Sequence, residues 1–227
     1  MTAVHFPGLD VPLVQAPIDG AGFSPAVLDR YRTLRADAHR ALDDAGVSRD
    51  GRRVWIAPGR IEVLGKHVDY AGGRSLLCTV ERGIVMVVAP RTDRQIVLRD
   101  SRRRELVHIP LDPPKYPGTQ PPPQWSVYPR TVVRRLQKNF GDRVVGLDIA
   151  MASNLPPAAG ASSSSALTVG LTLAIAAMSG ITETPEWRAA LSTRTNLAGY
   201  IGALENGTTF GELAGDRGVG TMGGAQD

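Results

Sequence analysis

The sequence contains very little cysteine, since Cys78 is the only one among 227 residues. No disulfide can form within the chain, and a single thiol is typical of a protein in a reducing compartment. The first ten residues also lack the basic start and apolar run of a signal peptide. The most apolar stretch, Ala166–Met178, is interrupted by Thr and Gly and is too short to span a bilayer. We therefore expect a soluble cytoplasmic protein that does not bind a membrane.

Aromatic residues are few, at 5%, whereas the fractions of hydrophobic residues (42%) and charged residues (21%) are ordinary for a globular domain. The net charge is +4, which suits an anionic ligand such as a nucleotide and equally suits a solvated basic surface. The run Arg102-Arg103-Arg104 is explained most simply as a solvated turn beside a strand. No segment predicts a nucleic-acid site.

Strand patterns dominate the first part of the chain and helical patterns the second. Residues 1–24 are rich in Pro, Gly and Asp and predict an extended arm, and Ser24-Pro25 marks a helix start. Strand patterns cover 54–57, 61–64, 75–98 with turns near 82–83 and 91–93, and 144–153. Helical patterns cover 25–44, 127–140, 163–178 and 185–206. The proline-rich segment 110–123 predicts a loop. This order predicts an α+β fold.

The segment Asn154–Ala166 joins a strand to a helix through small residues and four serines. A helix N-terminus presents unpaired N–H groups and the positive end of the helix dipole, so it binds phosphate well. Small side chains at 158–160 let the backbone approach phosphate oxygens, and a serine hydroxyl can ligate Mg²⁺. The residues alone fit a Ser-capped buried helix after a flexible turn at least as well. A Walker A loop is excluded, because its Gly-Lys-Ser/Thr ending is absent.

This segment resembles the second motif of GHMP kinases, Pro-x-x-x-Gly-x-Ser-Ser-Ser. The matching residues are Pro156, Gly160, Ser162, Ser163 and Ser164. The resemblance implies an α+β GHMP-kinase N-terminal domain with a mixed sheet and helices on one side. It also implies that the loop wraps the phosphates of ATP and that Mg²⁺ is bound with Ser164 as a ligand. The implied ATP-binding residues are Pro156, Gly160, Ala161, Ser162, Ser163 and Ser164.

The loop 57–73 gathers Arg, Lys, His and Asp between two glycine turns, a composition found in binding sites but more often in plain surface. It is similar to the galactokinase signature Gly-Arg-x-Asn-Leu-Ile-Gly-Glu-His-x-Asp-Tyr-x-Gly-Gly. The matching residues are Arg60, Gly65, His67, Asp69, Tyr70, Gly72 and Gly73. The resemblance implies phosphorylation of a monosaccharide at its anomeric hydroxyl, with Asp69 holding sugar hydroxyls and Arg60 beside the reacting one. The implied substrate-binding residues are Arg60, Lys66, His67, Asp69 and Gly224.

Two residues depart from the galactokinase signature. Glu62 stands where the family has Asn, and Lys66 stands where it has a Glu that contacts the C6 hydroxyl of the sugar. A lysine ammonium cannot accept a hydrogen bond, so recognition at C6 must differ. One hypothesis is a substrate with a carboxylate there, such as a hexuronic acid. The alternative, which we weigh equally, is that Lys66 points elsewhere and the substrate is a neutral sugar.

Phosphoryl transfer needs positioning, a metal ion and often a carboxylate that accepts the hydroxyl proton. In galactokinases this carboxylate belongs to a Cys-Gly-Ile-Met-Asp segment. Residues 223–227 align with that segment through Gly224 and Asp227. The resemblance therefore implies Asp227 as the catalytic base and Arg60 as the catalytic group that stabilises charge. Glu205, which follows a predicted helix, would hold Mg²⁺ together with Ser164. Trp125-x-x-Tyr128 resembles a helix start of the family with a packing role.

The resemblance covers about residues 54–227, whereas family members are longer and carry a C-terminal domain and a third glycine-rich motif. We expect 25–227 to form the N-terminal domain, with the C-terminal domain missing or truncated and the apolar surface left uncovered favouring self-association. Three other interpretations stay open. They are a non-catalytic sensor of sugar and ATP, an inactive fragment, and a kinase of the mevalonate branch, which leaves 67–70 unexplained.

Overall fold

The computed structural model describes residues 24–65, 73–112, 123–156 and 161–220. The strands are β1 (Arg53–Leu64), β2 (Leu76–Pro90), β3 (Gln95–Asp100), β4 (Leu106–Pro110) and β5 (Leu147–Ser153). The helices are α1 (Pro25–Asp43), α2 (Val127–Phe140), α3 (Ser163–Met178), α4 (Pro185–Ala190) and α5 (Arg194–Asn206). Single 3₁₀ turns cover 124–126, 141–143 and 181–183.

The strands form one mixed sheet in the order β1-β2-β5-β3-β4. Neighbouring strands run antiparallel except for β3 and β5, which are parallel. The connection from β3 to β5 passes through α2, as a parallel pair requires a crossover. The predicted α+β fold with a mixed sheet is confirmed.

Helices cover both faces of this sheet. Alternate residues of β2 point to opposite faces, so Ile84 and Met86 pack with α2 and α3, whereas Val85 and Val87 pack against α1. The expectation of helices on one side therefore holds for the later helices and is wrong for α1. Burial on both faces explains why 83–89 is continuously buried instead of alternating.

The bounds of α2 and α3 match the prediction residue for residue, and α1 differs from it by one residue. The strand bounds differ more: 54–57 and 61–64 belong to one strand, 75–98 is divided into β2 and β3, and β5 begins at 147 instead of 144. The predicted turn at 82–83 is wrong, because β2 runs through it. A Cβ at Gly83 would lie 2.5 Å from the Ala57 carbonyl oxygen and 2.9 Å from the Tyr31 hydroxyl, so this glycine serves close packing and not a turn. The predicted helix 185–206 is divided into α4 and α5 at 191–193, and β4 was not predicted.

The outer half of the β1–β2 pair exposes apolar side chains. They are Ile61 (42% exposed), Val63 (50%), Leu64 (66%), Leu76 (55%) and Leu77 (38%). This surface suits the expected self-association, which stays a prediction. None of the helices in the described ranges is both long and apolar enough to cross a bilayer.

His39 on α1 gives folding a pH dependence. Arg52 donates a hydrogen bond to His39 Nδ1 at 3.3 Å, and because a guanidinium only donates, this nitrogen must accept. Burial, and then the charge of Arg52, lower the pKa of His39 from its ordinary 6.5. Protonation of His39 is therefore harder in the folded state than in the unfolded chain, so the stability that neutral His39 contributes is expected to be present above pH 6.5 and lost as pH falls through the lowered pKa.

We expect the free energy of unfolding, measured in urea, to decrease as the pH is lowered from about 7.5 to about 5.5. The decrease should be smaller in His39→Gln. Glutamine keeps an acceptor for Arg52 and cannot titrate in this range. The same fall in the variant would show that His39 does not cause the pH dependence.

Candidate active site

A cavity of about 520 Å³ lies where the start of α3, the start of α2 and the turn between β3 and β4 meet. Ser163 and Ser164 line it from the first turn of α3, and Trp125 and Tyr128 line it from the start of α2. The other lining residues are Ile84, Asp100, Arg102, Arg103, Met151, Ser153, Leu155 and Leu167. The cavity thus combines hydroxyl groups, aromatic rings and guanidinium groups over an apolar floor.

The hydroxyl groups stand at an open helix N-terminus. Ser162 precedes α3 in the left-handed conformation, with φ 47° and ψ 48°, which is uncommon for a residue other than glycine. Its side chain does not cap the helix, and no acidic residue occupies the first turn. The positive end of the α3 dipole is therefore not neutralised by a neighbouring carboxylate of that turn, an arrangement that favours an anion.

The segment before α3 is held against β1. A Cβ at Gly59 would lie 2.4 Å from the Leu155 side chain and 2.7 Å from the Ala161 carbonyl oxygen, so only glycine fits here. The next residue, Arg60, is half-buried and donates its backbone N–H to the Ala161 carbonyl oxygen at 3.4 Å. The predicted sugar motif and the predicted phosphate loop therefore touch through Arg60 and Ala161.

The end of β5 is fixed by a reciprocal pair of hydrogen bonds to β2. The Gly83 N–H donates to the Asn154 side-chain oxygen at 2.9 Å, and the Asn154 N–H donates to the Gly83 carbonyl oxygen at 3.2 Å. Ser153 Oγ accepts the N–H of Leu155 at 3.1 Å. These bonds set where the chain leaves the sheet on its way to the serines.

The aromatic and cationic sides of the cavity are shaped by acidic residues. The Trp125 indole N–H donates to the Glu105 carboxylate. Asp100 accepts the backbone N–H groups of Arg102 at 2.9 Å and Arg103 at 3.1 Å, which folds the β3–β4 turn. The sequence placed this arginine run in a turn, which is confirmed, but gave no sign that two of its members reach a cavity.

Trp125 and Tyr128 pack partly buried against the main core, as the resemblance implied. They also line the cavity, a role that the sequence analysis missed. Their spacing of three places both on one side of the helix start, and this spacing was the available signal.

Glu205 lies in the last turn of α5, not after it, and is only 5% exposed. Gly207 ends the helix in the left-handed conformation, and the chain then returns so that the Val219 N–H donates to the Glu205 carbonyl oxygen at 2.9 Å. A Cβ at Gly218 would lie 2.3 Å from that oxygen. Residues 218–219, which lead towards Asp227, therefore run directly beside Glu205.

Side chains of α2 donate hydrogen bonds to the backbone of the loop that follows α5. Arg135, 2% exposed, donates to the carbonyl oxygens of Thr208 at 2.7 Å and Leu213 at 3.3 Å. Asn139 donates to the Ala214 carbonyl oxygen at 3.1 Å. Lys138 and Arg134 donate to the next carbonyl oxygens of the loop, those of Gly215 and Arg217. This fixes the backbone that precedes residue 221.

The described residues bring only part of the predicted site together. Arg60, Ala161, Ser162, Ser163 and Ser164 form one neighbourhood, and Pro156 follows the lining residue Leu155. Glu205 is buried at the end of α5. The residues that lie outside the described ranges are Lys66, His67, Asp69, Gly160, Gly224 and Asp227. Within those ranges no group of three or more His, Cys, Asp or Glu side chains could hold a metal ion.

Two family models match the chain. Residues 45–90 match the galactokinase galactose-binding signature, and residues 127–207 match the N-terminal domain of GHMP kinases. The first match contains β1 with Arg60, and the second contains α2, α3 and α5 with Ser164 and Glu205. The galactose-binding match favours the galactokinase interpretation over the mevalonate one.

Solved structures share the fold at low sequence identity. Lactococcus lactis galactokinase complexed with galactose matches with a TM-score of 0.65 and 21% identity, over 86% of this chain and 45% of that one. A putative sugar kinase from Campylobacter jejuni matches with a TM-score of 0.51 and 19% identity, over 77% and 48%. Methanococcus jannaschii mevalonate kinase matches with a TM-score of 0.50 and 17% identity, over 70% and 47%.

The chain therefore spans just under half the length of each of these structures. At such identities the structural matches establish the fold alone, and the family assignment rests on the two family models. Arg60 lies within the first matched region and Ala161 and the serines of the cavity within the second, whereas the cavity residues from 100 to 125 lie between the two. Together the two family models match more than half of the chain, so the chain belongs to the GHMP kinase superfamily and carries a galactokinase-like sugar-binding signature.

Proposed function

We propose that this chain takes part in ATP-dependent phosphorylation of a monosaccharide at its anomeric hydroxyl. The observation that carries the proposal is the 3.4 Å hydrogen bond from the Arg60 N–H to the Ala161 carbonyl oxygen. It joins the galactose-binding signature to the residue that directly precedes the serines at the start of α3. Sugar and phosphate groups bound by these two motifs would be neighbours, as in-line transfer of a phosphoryl group requires.

The cavity fits a nucleotide. The aromatic rings of Trp125 and Tyr128 offer a stacking surface for a base, and Ser163 and Ser164 offer hydroxyl donors to phosphate oxygens. The open N-terminus of α3 adds the favourable dipole. ATP would thus lie with its base at the aromatic residues and its phosphates at the serines.

In the proposed reaction the Asp227 carboxylate accepts the proton of the anomeric hydroxyl as that oxygen bonds to the γ-phosphorus of ATP. The bond from this phosphorus to the bridging oxygen breaks, and ADP leaves. The positive charge of Arg60 stabilises the charge that develops on the transferred group. Asp69 and His67 orient the sugar, while Gly224 permits its close approach.

The oxygen donors suit Mg²⁺. Ser164 offers a hydroxyl at the cavity, and Glu205 is a buried carboxylate, a combination that matches the preference of this hard cation for oxygen ligands. When bound, the ion would neutralise phosphate charge. The family resemblance implies Glu205 as the second ligand, and its side chain is buried at the end of α5.

The test is ADP release by this chain with Mg-ATP and single sugars. We expect release that depends on the sugar and is lost in Asp227→Asn, while ATP binding measured by calorimetry persists. ATP and sugar binding without turnover would leave the non-catalytic sensor and the inactive fragment as alternatives. Turnover that Asp227→Asn leaves unchanged would remove Asp227 from the mechanism.

The sugar class depends on Lys66. If its ammonium faces C6 of the substrate, galacturonate or glucuronate should give a kcat/KM at least about tenfold above that of galactose, because a charge-assisted hydrogen bond is worth more than one unit of log affinity. Lys66→Glu, which restores the residue of the signature, should reverse the preference. A panel in which galactose far outperforms both acids would contradict the sugar-acid hypothesis and leave the kinase proposal intact.

A further inference from the structure

A groove of about 590 Å³, separate from the cavity beside the serines, lies along α2. It is lined by Val127, Arg130, Thr131, Arg134, Asn206, Arg217, Gly218, Val219 and Gly220. None of these residues lines the nucleotide cavity. Three arginines face the groove, and no acidic side chain is among its lining residues.

The charge of the groove is only partly neutralised. Arg134 is paired with Asp216 through its Nε, at 2.9 Å and 2.8 Å from the two carboxylate oxygens. Arg217 is exposed and forms no ion pair within the described parts of the chain. Arg130 donates one hydrogen bond, from Nη2 to the His108 carbonyl oxygen at 3.1 Å, and has no carboxylate partner there. Two of the three positive charges therefore remain.

Two buried donors in the groove also lack a partner. Thr131 is 1% exposed, and its hydroxyl makes no hydrogen bond. The Nε of Arg130, one residue earlier on α2, is buried and unsatisfied as well. Buried polar groups are nearly always hydrogen-bonded, because each unsatisfied one costs free energy. A hydroxyl and a guanidinium N–H that share one groove are matched by a ligand that accepts hydrogen bonds and carries negative charge.

The groove runs along the first two turns of α2, which contain no acidic residue, and it is bordered by Gly220, whose Cβ position is open. A glycine with open space at its Cβ position allows an anion to approach the backbone closely. We propose that this groove is a second anion site, which binds a phosphoryl group held by Arg130, Thr131 and Arg217. Both free phosphate and the phosphate of a hexose 1-phosphate present this chemistry.

The test follows backbone amide signals by NMR while inorganic phosphate, and separately a hexose 1-phosphate, is added to the whole chain at constant ionic strength. We expect saturable shifts at Thr131, Gly218 and Gly220. Tighter binding of the hexose 1-phosphate would identify a sugar-phosphate site, and equal binding a site for free phosphate. Shifts confined to Ser163 and Ser164 would overturn the proposal, because the anion would then occupy the nucleotide cavity.

Variants distinguish specific binding in the groove from nonspecific attraction by the net positive charge. Arg130→Gln and Arg217→Gln should each weaken phosphate binding about tenfold, since each removes a charged hydrogen-bond donor. Arg35→Gln removes the same charge from α1, on the opposite face of the sheet, and should leave the affinity within about twofold. Equal weakening by all three would contradict a specific site.

Thr131→Val distinguishes a hydroxyl that binds phosphate from one that only stabilises the fold. Valine has the same shape and removes an unsatisfied buried group, so the phosphate-free variant should be at least as stable as the wild type in urea. Its phosphate affinity should nevertheless fall. Unchanged affinity would remove Thr131 from the site. Because the readout is binding and not turnover, the outcome is independent of whether the kinase proposal holds.

Discussion

Ser164→Ala is expected to lower the turnover number for sugar phosphorylation by about 10²-fold or more, because a positioned group that stabilises transferred charge contributes on that scale. Ser164 lines the cavity from the first turn of α3. In the proposed function its hydroxyl would contact a phosphate oxygen and Mg²⁺. Alanine keeps the helix and removes only this oxygen. The measurement is steady-state ADP release at saturating sugar, with kcat and KM for ATP determined separately.

The matched control for this variant is Ser24→Ala. Ser24 precedes α1 and makes no side-chain capping bond, so its hydroxyl contributes to neither helix nor cavity. Its kcat should equal that of the wild type. A Ser164→Ala enzyme with unchanged kcat and only a higher KM for ATP would contradict a role in transfer and leave Ser164 with a binding role.

Asp148→Asn is expected to lower the free energy of unfolding by about 3–5 kcal/mol, the cost of breaking a buried ion pair from one side. Asp148 on β5 is 3% exposed and accepts hydrogen bonds from two arginines, Arg91 at 2.6 Å and Arg99. Asparagine keeps the shape but leaves Arg99 without its counter-charge and leaves Arg91 with only the more exposed Asp93. Urea unfolding at neutral pH measures the change, which is a large share of the stability of an ordinary domain.

Asp93→Asn supplies the comparison, because Asp93 pairs with the same Arg91 but is largely exposed. The hydrogen bonds from Arg91, and then that from Gln95, hold the pKa of Asp93 well below its ordinary value. Solvent screens this exposed pair, so its loss should cost much less than that of Asp148. Equal losses in the two variants would show that burial does not govern the network.

The fold was predictable wherever local signals and packing agree. Helices α2 and α3 were predicted with their observed bounds. The apolar pattern of α2 stops before Gly141, and that of α3 starts within a run of serines. The division at 191–193 escaped prediction, since its only mark is Thr193, whose hydroxyl caps α5 by accepting the Asn196 N–H. Gly83 suggested a turn because a sequence does not reveal that another strand and a tyrosine crowd against it.

The candidate site could likewise be predicted from the sequence only in part. The family resemblance gave roles to Arg60 and to the serines, but no local pattern in the sequence tells that residues 60 and 161 touch. The aromatic and arginine sides of the cavity come from segments far apart in sequence, and only the crossing of β3, α2 and α3 assembles them. The groove on α2 had no sequence signal, because its charges lie on two segments that meet through the loop after α5.

The binding of ATP in the cavity between Trp125 and Ser164 is tested most directly by tryptophan fluorescence during titration with Mg-ATP. The chain has three tryptophans, of which Trp55 is 5% and Trp187 1% exposed in the core, whereas Trp125 lines the cavity. We predict a saturable change in the wild type that disappears in Trp125→Phe, while calorimetry shows that this variant still binds ATP. An equal change in Trp125→Phe, or no ATP binding by the wild type, would contradict the account.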